Sequence, residues 1–241
     1  MGGKIRLIVM ILGFVFLLHG SIAAQTQSDP DKKKSEKKSA KEVYKECMRA
    51  FDINSINMND SPARQNSALL DEYFTCKAVV KNDKNICDNL AAESYLVGMC
   101  KDYYEDYVEF LGAALTKGST SAGMSRCLKS LGDRARCSSF FLGLNKNDSS
   151  VCDSASGKDR DECKAQVEGI PDGCPSESCQ YKSIFVDAVR SKGSFKCKEI
   201  KNDHVRGVCR GYIGRNENVC TDNKAFQDFK HIYCSQKSRG L

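Results

Sequence analysis

The sequence predicts an all-α protein made of tandem short helical hairpins, stapled by disulfides and stacked as an irregular, solenoid-like array. Three observations support this fold class. Fourteen cysteines recur in the 241-residue chain with related spacings and related neighbours. The chain has four prolines, and none lies between residues 63 and 170. No alternation of apolar and polar residues, the pattern of a half-buried strand, stands out.

Residues 1–24 have the pattern of a secretory signal peptide. Lys4 and Arg6 precede an apolar run from Leu7 to Leu18, which is shorter than the roughly 20 residues of a membrane-spanning helix. Small residues follow, so cleavage is expected near Ala23, with an uncleaved signal anchor as the alternative. No later stretch is apolar enough to cross a membrane. We therefore expect a secreted or periplasmic protein with no membrane span after signal cleavage.

Residues 25–42 form a Lys- and Ser-rich linker that we expect to be disordered, because almost no large apolar side chain offsets the entropy of ordering. The formal net charge is +6, of which the signal region and the linker carry two charges each. The remainder is spread over residues 43–241, whereas a nucleic-acid-binding domain concentrates its basic residues in a patch. No nucleic-acid partner is expected. Tethering of the linker to an anionic surface is an alternative use of this segment.

Residues 43–241 form a cysteine-rich helical repeat domain. Lys81 to Leu90 resembles Lys146 to Ala155, and looser copies surround other cysteines. The first cysteine of each copy, the opener, follows a helix-start or turn residue by four positions; these residues are Asp83, Gly123, Asp148, Gly193 and Asn216. A second cysteine, the closer, comes 10 to 14 residues after the opener. We therefore expect each opener in the first turns of a short helix, with a longer helix after the closer.

The even number of cysteines and the predicted export predict that all of them form disulfides. The repeat predicts pairing between nearest neighbours: Cys47–Cys76, Cys87–Cys100, Cys127–Cys137, Cys152–Cys163, Cys174–Cys179, Cys197–Cys209 and Cys220–Cys234. A rival scheme follows from three eleven-residue gaps, which would place two cysteines on one helix face. That scheme is the logic of twin Cys-x9-Cys hairpin proteins, but only the gap from Cys127 to Cys137 has nine intervening residues.

A longer amphipathic helix of about twenty residues is predicted around Cys100. Its apolar stripe consists of Leu96, Met99, Tyr103, Tyr107, Phe110, Leu111 and Ala114. Tyr104 falls off this stripe. We therefore expect Tyr104 to be the best single candidate for an exposed contact residue.

Little in the sequence points to catalysis. His19 lies in the signal region, and His204 and His231 lie in the last two repeat units. His231 takes a position that Arg holds in other units, which favours a structural role at the surface. The motifs Gly-x-Ser-x-Gly, His-Glu-x-x-His and Cys-x-x-Cys are absent from the sequence. We expect no catalytic residue, no cofactor and no metal ligand, and assign the cysteines to structure.

The sequence thus predicts an exported, non-enzymatic scaffold that binds an unidentified macromolecule, with a protein favoured. In carrying two cysteines per helix pair, the chain resembles helical cysteine-rich repeat proteins exported by bacteria, although it lacks their Ala- and Gly-rich repeats of regular length. The alternative is a thiol-based metal-binding or redox protein. That function favours cysteines one helical turn apart, a spacing that the sequence lacks. A secreted enzyme without a recognised motif is a third hypothesis.

Overall fold

A computed structural model describes residues 38–90 and 94–240, so the predicted signal peptide and residues 25–37 of the predicted linker lie outside the described residues. Twelve α-helices occur in the described ranges: α1 Ala40–Arg49, α2 Ser61–Gln65, α3 Asp71–Lys81, α4 Ser94–Tyr104, α5 Ala113–Lys117, α6 Ser121–Leu131, α7 Arg134–Lys146, α8 Gly157–Glu168, α9 Glu177–Ser191, α10 Asp203–Gly214, α11 Asn218–Thr221 and α12 Lys224–Ser238. These ranges contain no strand, which confirms the all-α class.

The first helix begins inside the range that composition assigned to the linker. Ser39 caps α1 and forms a capping box with Glu42: its hydroxyl accepts the Glu42 N–H, and its own N–H donates to the Glu42 carboxylate at 2.9 Å. Hydrogen bonds from the backbone and the hydroxyl of Ser39 hold the pKa of Glu42 below its ordinary value. Local capping therefore supplies order here that hydrophobic burial does not.

The cysteine repeat has a structural signature that the sequence did not reveal. Five positions before each of six cysteines the backbone is left-handed; these residues are Asn82, Gly132, Asn147, Gly169, Lys192 and Arg215. Each ends a helix. The next N–H often bonds back across the helix end, as from Asp83 to the Ala78 carbonyl at 2.9 Å. The left-handed residue turns the chain, so that the cysteine five residues later points into the core.

The predicted turn residues Asp83 and Asp148 are confirmed. Each side chain accepts the backbone N–H two residues later, at 2.9 and 3.0 Å. The turns open 3-10 helices rather than α-helices, as at Lys84–Leu90 and Ser149–Ser154. A third 3-10 helix, Ser194–Glu199, carries the opener Cys197.

The copy at Cys127 departs from this pattern. Its opener lies well inside α6, and Thr120, not Gly123, is the N-cap residue. A Cβ on Gly123 would lie 2.9 Å from the Phe141 ring. Gly123 is therefore small because an aromatic ring packs against it, and not because a bend requires it.

All fourteen cysteines are paired, and five of the seven nearest-neighbour disulfides are confirmed: Cys87–Cys100, Cys127–Cys137, Cys152–Cys163, Cys174–Cys179 and Cys197–Cys209. The pairings Cys47–Cys76 and Cys220–Cys234 are wrong. Cys47 bonds Cys234 and Cys76 bonds Cys220, across sequence separations of 187 and 144 residues. The reason is tertiary: α1 packs along α12, and α3 packs against α10 and α11. The first and last helices of the array are thus joined.

The contact between α3 and α10 is the most extensive helix pairing among the described residues. Two glycines one turn apart allow it. A Cβ on Gly207 would lie 2.5 Å from the Glu72 carbonyl oxygen, and one on Gly211 would lie 2.6 Å from that of Cys76. The two backbones therefore approach more closely than side chains would permit, which also places Cys76 near Cys220.

Two apolar cores contact the long helical segment from Ser94 to Lys117, and Val108 packs against both. The first core includes Phe141 and Phe185, and the second includes Phe74 and Phe229. The middle of the segment, Glu105–Gly112, is a π-helix. Since a π-helix adds a residue to the turn, it rotates the buried face partway along the segment.

The expectation for Tyr104 is wrong because Tyr104 follows Cys100 by one turn of α4 and faces the same core. Its side chain is only 4% exposed and packs in the second core, in line with Leu96 and Cys100. Tyr107 and Leu111, beyond the start of the π-helix, pack in the first core. The segment is therefore buried on two faces, whereas a single stripe at helical spacing predicted one.

Candidate functional site

The cysteines that the sequence singled out act as cross-links. None of them is free in the described residues, so none presents a thiol. In the same ranges, no group of three His, Cys, Asp or Glu side chains is placed to hold a metal ion. The disulfides therefore hold surfaces and buried polar groups in place.

A buried ion-pair network lies on the contact between α3 and α10. The carboxylate of Glu72 is 3% exposed and accepts hydrogen bonds from Arg206 Nε and Arg210 Nη1, each at 2.9 Å. Arg210 also donates to the Val219 carbonyl at 2.6 Å. A buried carboxylate needs such partners, because an unpaired charge in the interior is strongly destabilising. The network therefore fixes how α3 and α10 pair, and no sequence pattern predicted it.

His204 forms a second polar cluster on the same contact. Its Nδ1 lies 2.9 Å from the Thr75 hydroxyl, and its Nε2 lies 3.5 Å from Asp71 Oδ2. The Thr75 hydroxyl already donates to the Asp71 carbonyl at 2.7 Å, so it must accept from His204 Nδ1. The ring also stacks on Tyr103, with the centroids 5.8 Å apart.

The Thr75 hydroxyl, the His204 imidazole and the Asp71 carboxylate follow one another in space as in a hydrolytic triad. However, no substrate can reach this cluster. Thr75 is fully buried and His204 is 3% exposed. Burial lowers the pKa of His204 to about 4, and the nearby Asp203 offsets this only in part. A neutral, enclosed imidazole whose partners are side chains of the opposite helix acts in packing. We assign this cluster to the helix contact.

His231 lies at the surface, as its position in the repeat suggested. Its Nδ1 is 2.7 Å from the Tyr44 hydroxyl, which joins α12 to α1 beside the Cys47–Cys234 disulfide. The two rings stack with centroids 6.4 Å apart.

A cleft of about 260 Å³ lies between the α6–α7 hairpin and helices α8 and α9, and we call it the hairpin cleft. Its apolar lining is Phe110, Leu131, Phe140, Val151 and Ala155, and its charged lining is Arg136, Asp159, Glu162 and Lys182. Leu131 is 46% exposed at its edge. Two disulfides, Cys127–Cys137 and Cys152–Cys163, contribute sulfur atoms to its walls. The cleft is thus apolar inside, charged at the rim and braced covalently.

A second concave surface lies where helices α3, α5 and α10 end. We call this surface the cationic groove, and its volume is about 470 Å³. It is lined by Val79, Val80, Asn82, Val108, Thr116, Lys117, Gly211, Tyr212 and Arg215. Neither of its two cations forms an ion pair with the described residues. Its lining contains no carboxylate.

The seven disulfides indicate an oxidising compartment, since such bonds are rare where thiols are kept reduced. Within residues 38–90 and 94–240, no helix is both long and apolar enough to cross a bilayer. No known family model, curated protein or solved structure matches the chain.

Proposed function

We propose that the protein is an exported, non-enzymatic scaffold that binds a protein partner through the hairpin cleft. One observation carries the proposal: all fourteen cysteines are cross-links, and two of the disulfides line the cleft. The apolar interior and charged rim of the cleft have the composition of a protein-binding surface.

Rigidity supports this function. Binding loses less free energy when the interface is already ordered, and the α6–α7 hairpin and the pair of Ser149–Ser154 with α8 are each closed by a disulfide. The alternative of metal binding or redox chemistry needs thiolates, so it requires that some of these bonds be open. A count of free thiols in denaturant without reductant separates the two: none is expected, and several would favour the alternative.

The binding test uses the oxidised protein, purified after export to the periplasm of a bacterial host, as bait for extracellular and periplasmic proteins of its own source. We compare it with Leu131→Glu, which places a charge at the edge of the cleft. The matched control is Leu142→Glu, because Leu142 is 47% exposed on α7 and does not line the cleft.

We expect a partner that the native protein and Leu142→Glu retain and that Leu131→Glu loses. A partner retained equally by both variants would place the binding surface elsewhere. No specific partner at all would count against the scaffold function.

A further inference from the structure

We propose that the cationic groove binds a small aliphatic carboxylate, with its chain on the valine floor and its carboxylate between Lys117 and Arg215. This site is separate from the hairpin cleft and goes beyond the proposed scaffold function. The groove lies beside the π-helix, through Val108. Segments of π-helix occur often at functional sites.

The lining of the groove includes three valines. Val79, Val80 and Val108 are partly buried and pack against the two cores. Gly211 adds only backbone, since α10 lies against α3 at this point. The Tyr212 hydroxyl donates to the Gly112 carbonyl at 3.0 Å, which turns the polar end of that ring away from any ligand. An aliphatic chain would therefore meet carbon atoms on this floor.

The side chains at the rim of the cationic groove have hydrogen-bond donors that no acceptor among the described residues occupies. Within the described ranges, no carboxylate lies within ion-pairing distance of Lys117 or Arg215, whereas the nearby Lys81 pairs with Glu217. Asn82 accepts the Tyr104 hydroxyl on Oδ1 at 3.0 Å, which leaves its amide nitrogen available. Two cations and an amide N–H group above an apolar floor are the complement of a carboxylate that ends an aliphatic chain.

The acidic residues nearby limit where the carboxylate can lie. The groove continues into a second depression of about 400 Å³ that shares Asn82, Val108 and Lys117 and adds Asp83 and Glu109. The Asp83 carboxylate already accepts a hydrogen bond from the Asn85 N–H. The pKa of Tyr104 is raised, first by burial and then by Glu109. Because this acidic depression repels an anion, the carboxylate stays in the cationic groove, between Lys117 and Arg215.

The size of the groove sets the ligand class. At about 470 Å³ it is in the range of small-molecule sites, roughly 300–1,000 Å³. It holds a chain of medium length and is too small for a folded segment of a protein. The occupant is thus a free aliphatic carboxylate, and a peptide carboxyl terminus is the competing occupant for the test to exclude.

The test is calorimetric titration of the oxidised protein with decanoate, decanol, acetate and N-acetyl-leucyl-leucine. We expect saturable binding of decanoate, about tenfold tighter than that of decanol because of the charge-assisted hydrogen bonds. Acetate, which lacks the chain, should not bind measurably. Tighter binding of the dipeptide than of decanoate would overturn the assignment to a free carboxylate.

The variant Lys117→Gln/Arg215→Asn removes both cations, and Asn tolerates the left-handed backbone at residue 215. It should bind decanoate no better than decanol. The matched control is Lys158→Gln/Lys198→Gln, which removes two exposed charges from helix α8 and the 3-10 helix Ser194–Glu199 and should bind like the native protein. Absence of saturable decanoate binding, or equal loss in both variants, would refute the proposal. Thermal unfolding of each variant verifies that the fold is kept.

Discussion

The close approach of α3 and α10 can be tested by adding single methyl groups at its two glycines. In Gly207→Ala the new Cβ would lie 2.5 Å from the Glu72 carbonyl oxygen and 3.1 Å from the Cys76 nitrogen. Both atoms belong to the backbone of a packed helix, so neither can move without shifting α3. Because the same stretch of α3 carries Glu72, a shift would also lengthen the hydrogen bonds to Arg206 and Arg210.

Two opposing effects set the magnitude. Replacing Gly by Ala inside a helix stabilises it by up to about 1 kcal/mol. Overpacking a closely packed contact is destabilising by about 1–3 kcal/mol, and the weakened ion-pair network adds to this. We expect a net destabilisation of about 2 kcal/mol for Gly207→Ala. For a chain of this size that lowers the melting temperature by about 4–8 °C.

Thermal unfolding of the oxidised protein, followed by far-ultraviolet circular dichroism, measures the effect. Gly98→Ala is the matched control, because Gly98 lies in α4 with nothing within 4 Å of the added Cβ. Its melting temperature should stay level or rise. If Gly207→Ala melts as high as Gly98→Ala, then the two helices are not in backbone contact and our account of their pairing fails.

Three further outcomes follow from the structure. Removing Cys76–Cys220 by paired Cys→Ala changes should cost about 1 kcal/mol more than removing Cys87–Cys100, because Cys76–Cys220 closes the longer loop even though the intact Cys47–Cys234 disulfide shortens it; equal denaturant midpoints would contradict this. Asp83→Ala should cost about 1 kcal/mol by loss of the turn's hydrogen bond, and an unchanged midpoint would count against that role. Burial lowers the pKa of His204 to about 4, so its neutral ring does not reduce stability above the ordinary pKa of 6.5. As pH falls from 6.5 to 4, the unfolded chain binds a proton at His204 that the folded protein does not, which should destabilise the fold by up to about 3 kcal/mol. His204→Gln should flatten that part of a pH series of urea midpoints, and an unchanged pH dependence would argue against the buried neutral ring.

The repeat predicted the local disulfides because each lies within one turn-and-helix unit. Cys174 and Cys179, the shortest pair, are brought together by the first turn of α9 alone. Both wrong pairs belong to copies that depart from the repeat, although the shortest copy, Cys174–Cys179, departs as well and was predicted correctly. The gap between Cys47 and Cys76 was more than twice the usual spacing, and Asn223 stood where other copies have an apolar residue. Pairing across the fold leaves no trace in the spacing of a single sequence.

The buried polar groups were missed for a related reason. Glu72 and His204 look like ordinary surface residues in the sequence, because their partners lie more than 100 positions away. Only the glycines at residues 207 and 211, one turn apart in α10, hinted at a close helix contact. Tyr104 was misplaced because the stripe allowed for one buried face, whereas α4 contacts the first core through Tyr103 and the second core through Tyr104.

The order in which the disulfides nest has a consequence for how the chain matures. Cys76–Cys220 encloses five local disulfides, and Cys47–Cys234 encloses all six. A chain that emerges with its amino terminus first can close the local bonds as each unit appears. Cys47 and Cys76 meanwhile lack their native partners until the last two cysteines arrive. A chain truncated before Cys220 would therefore leave these two cysteines either as free thiols or in a non-native pair.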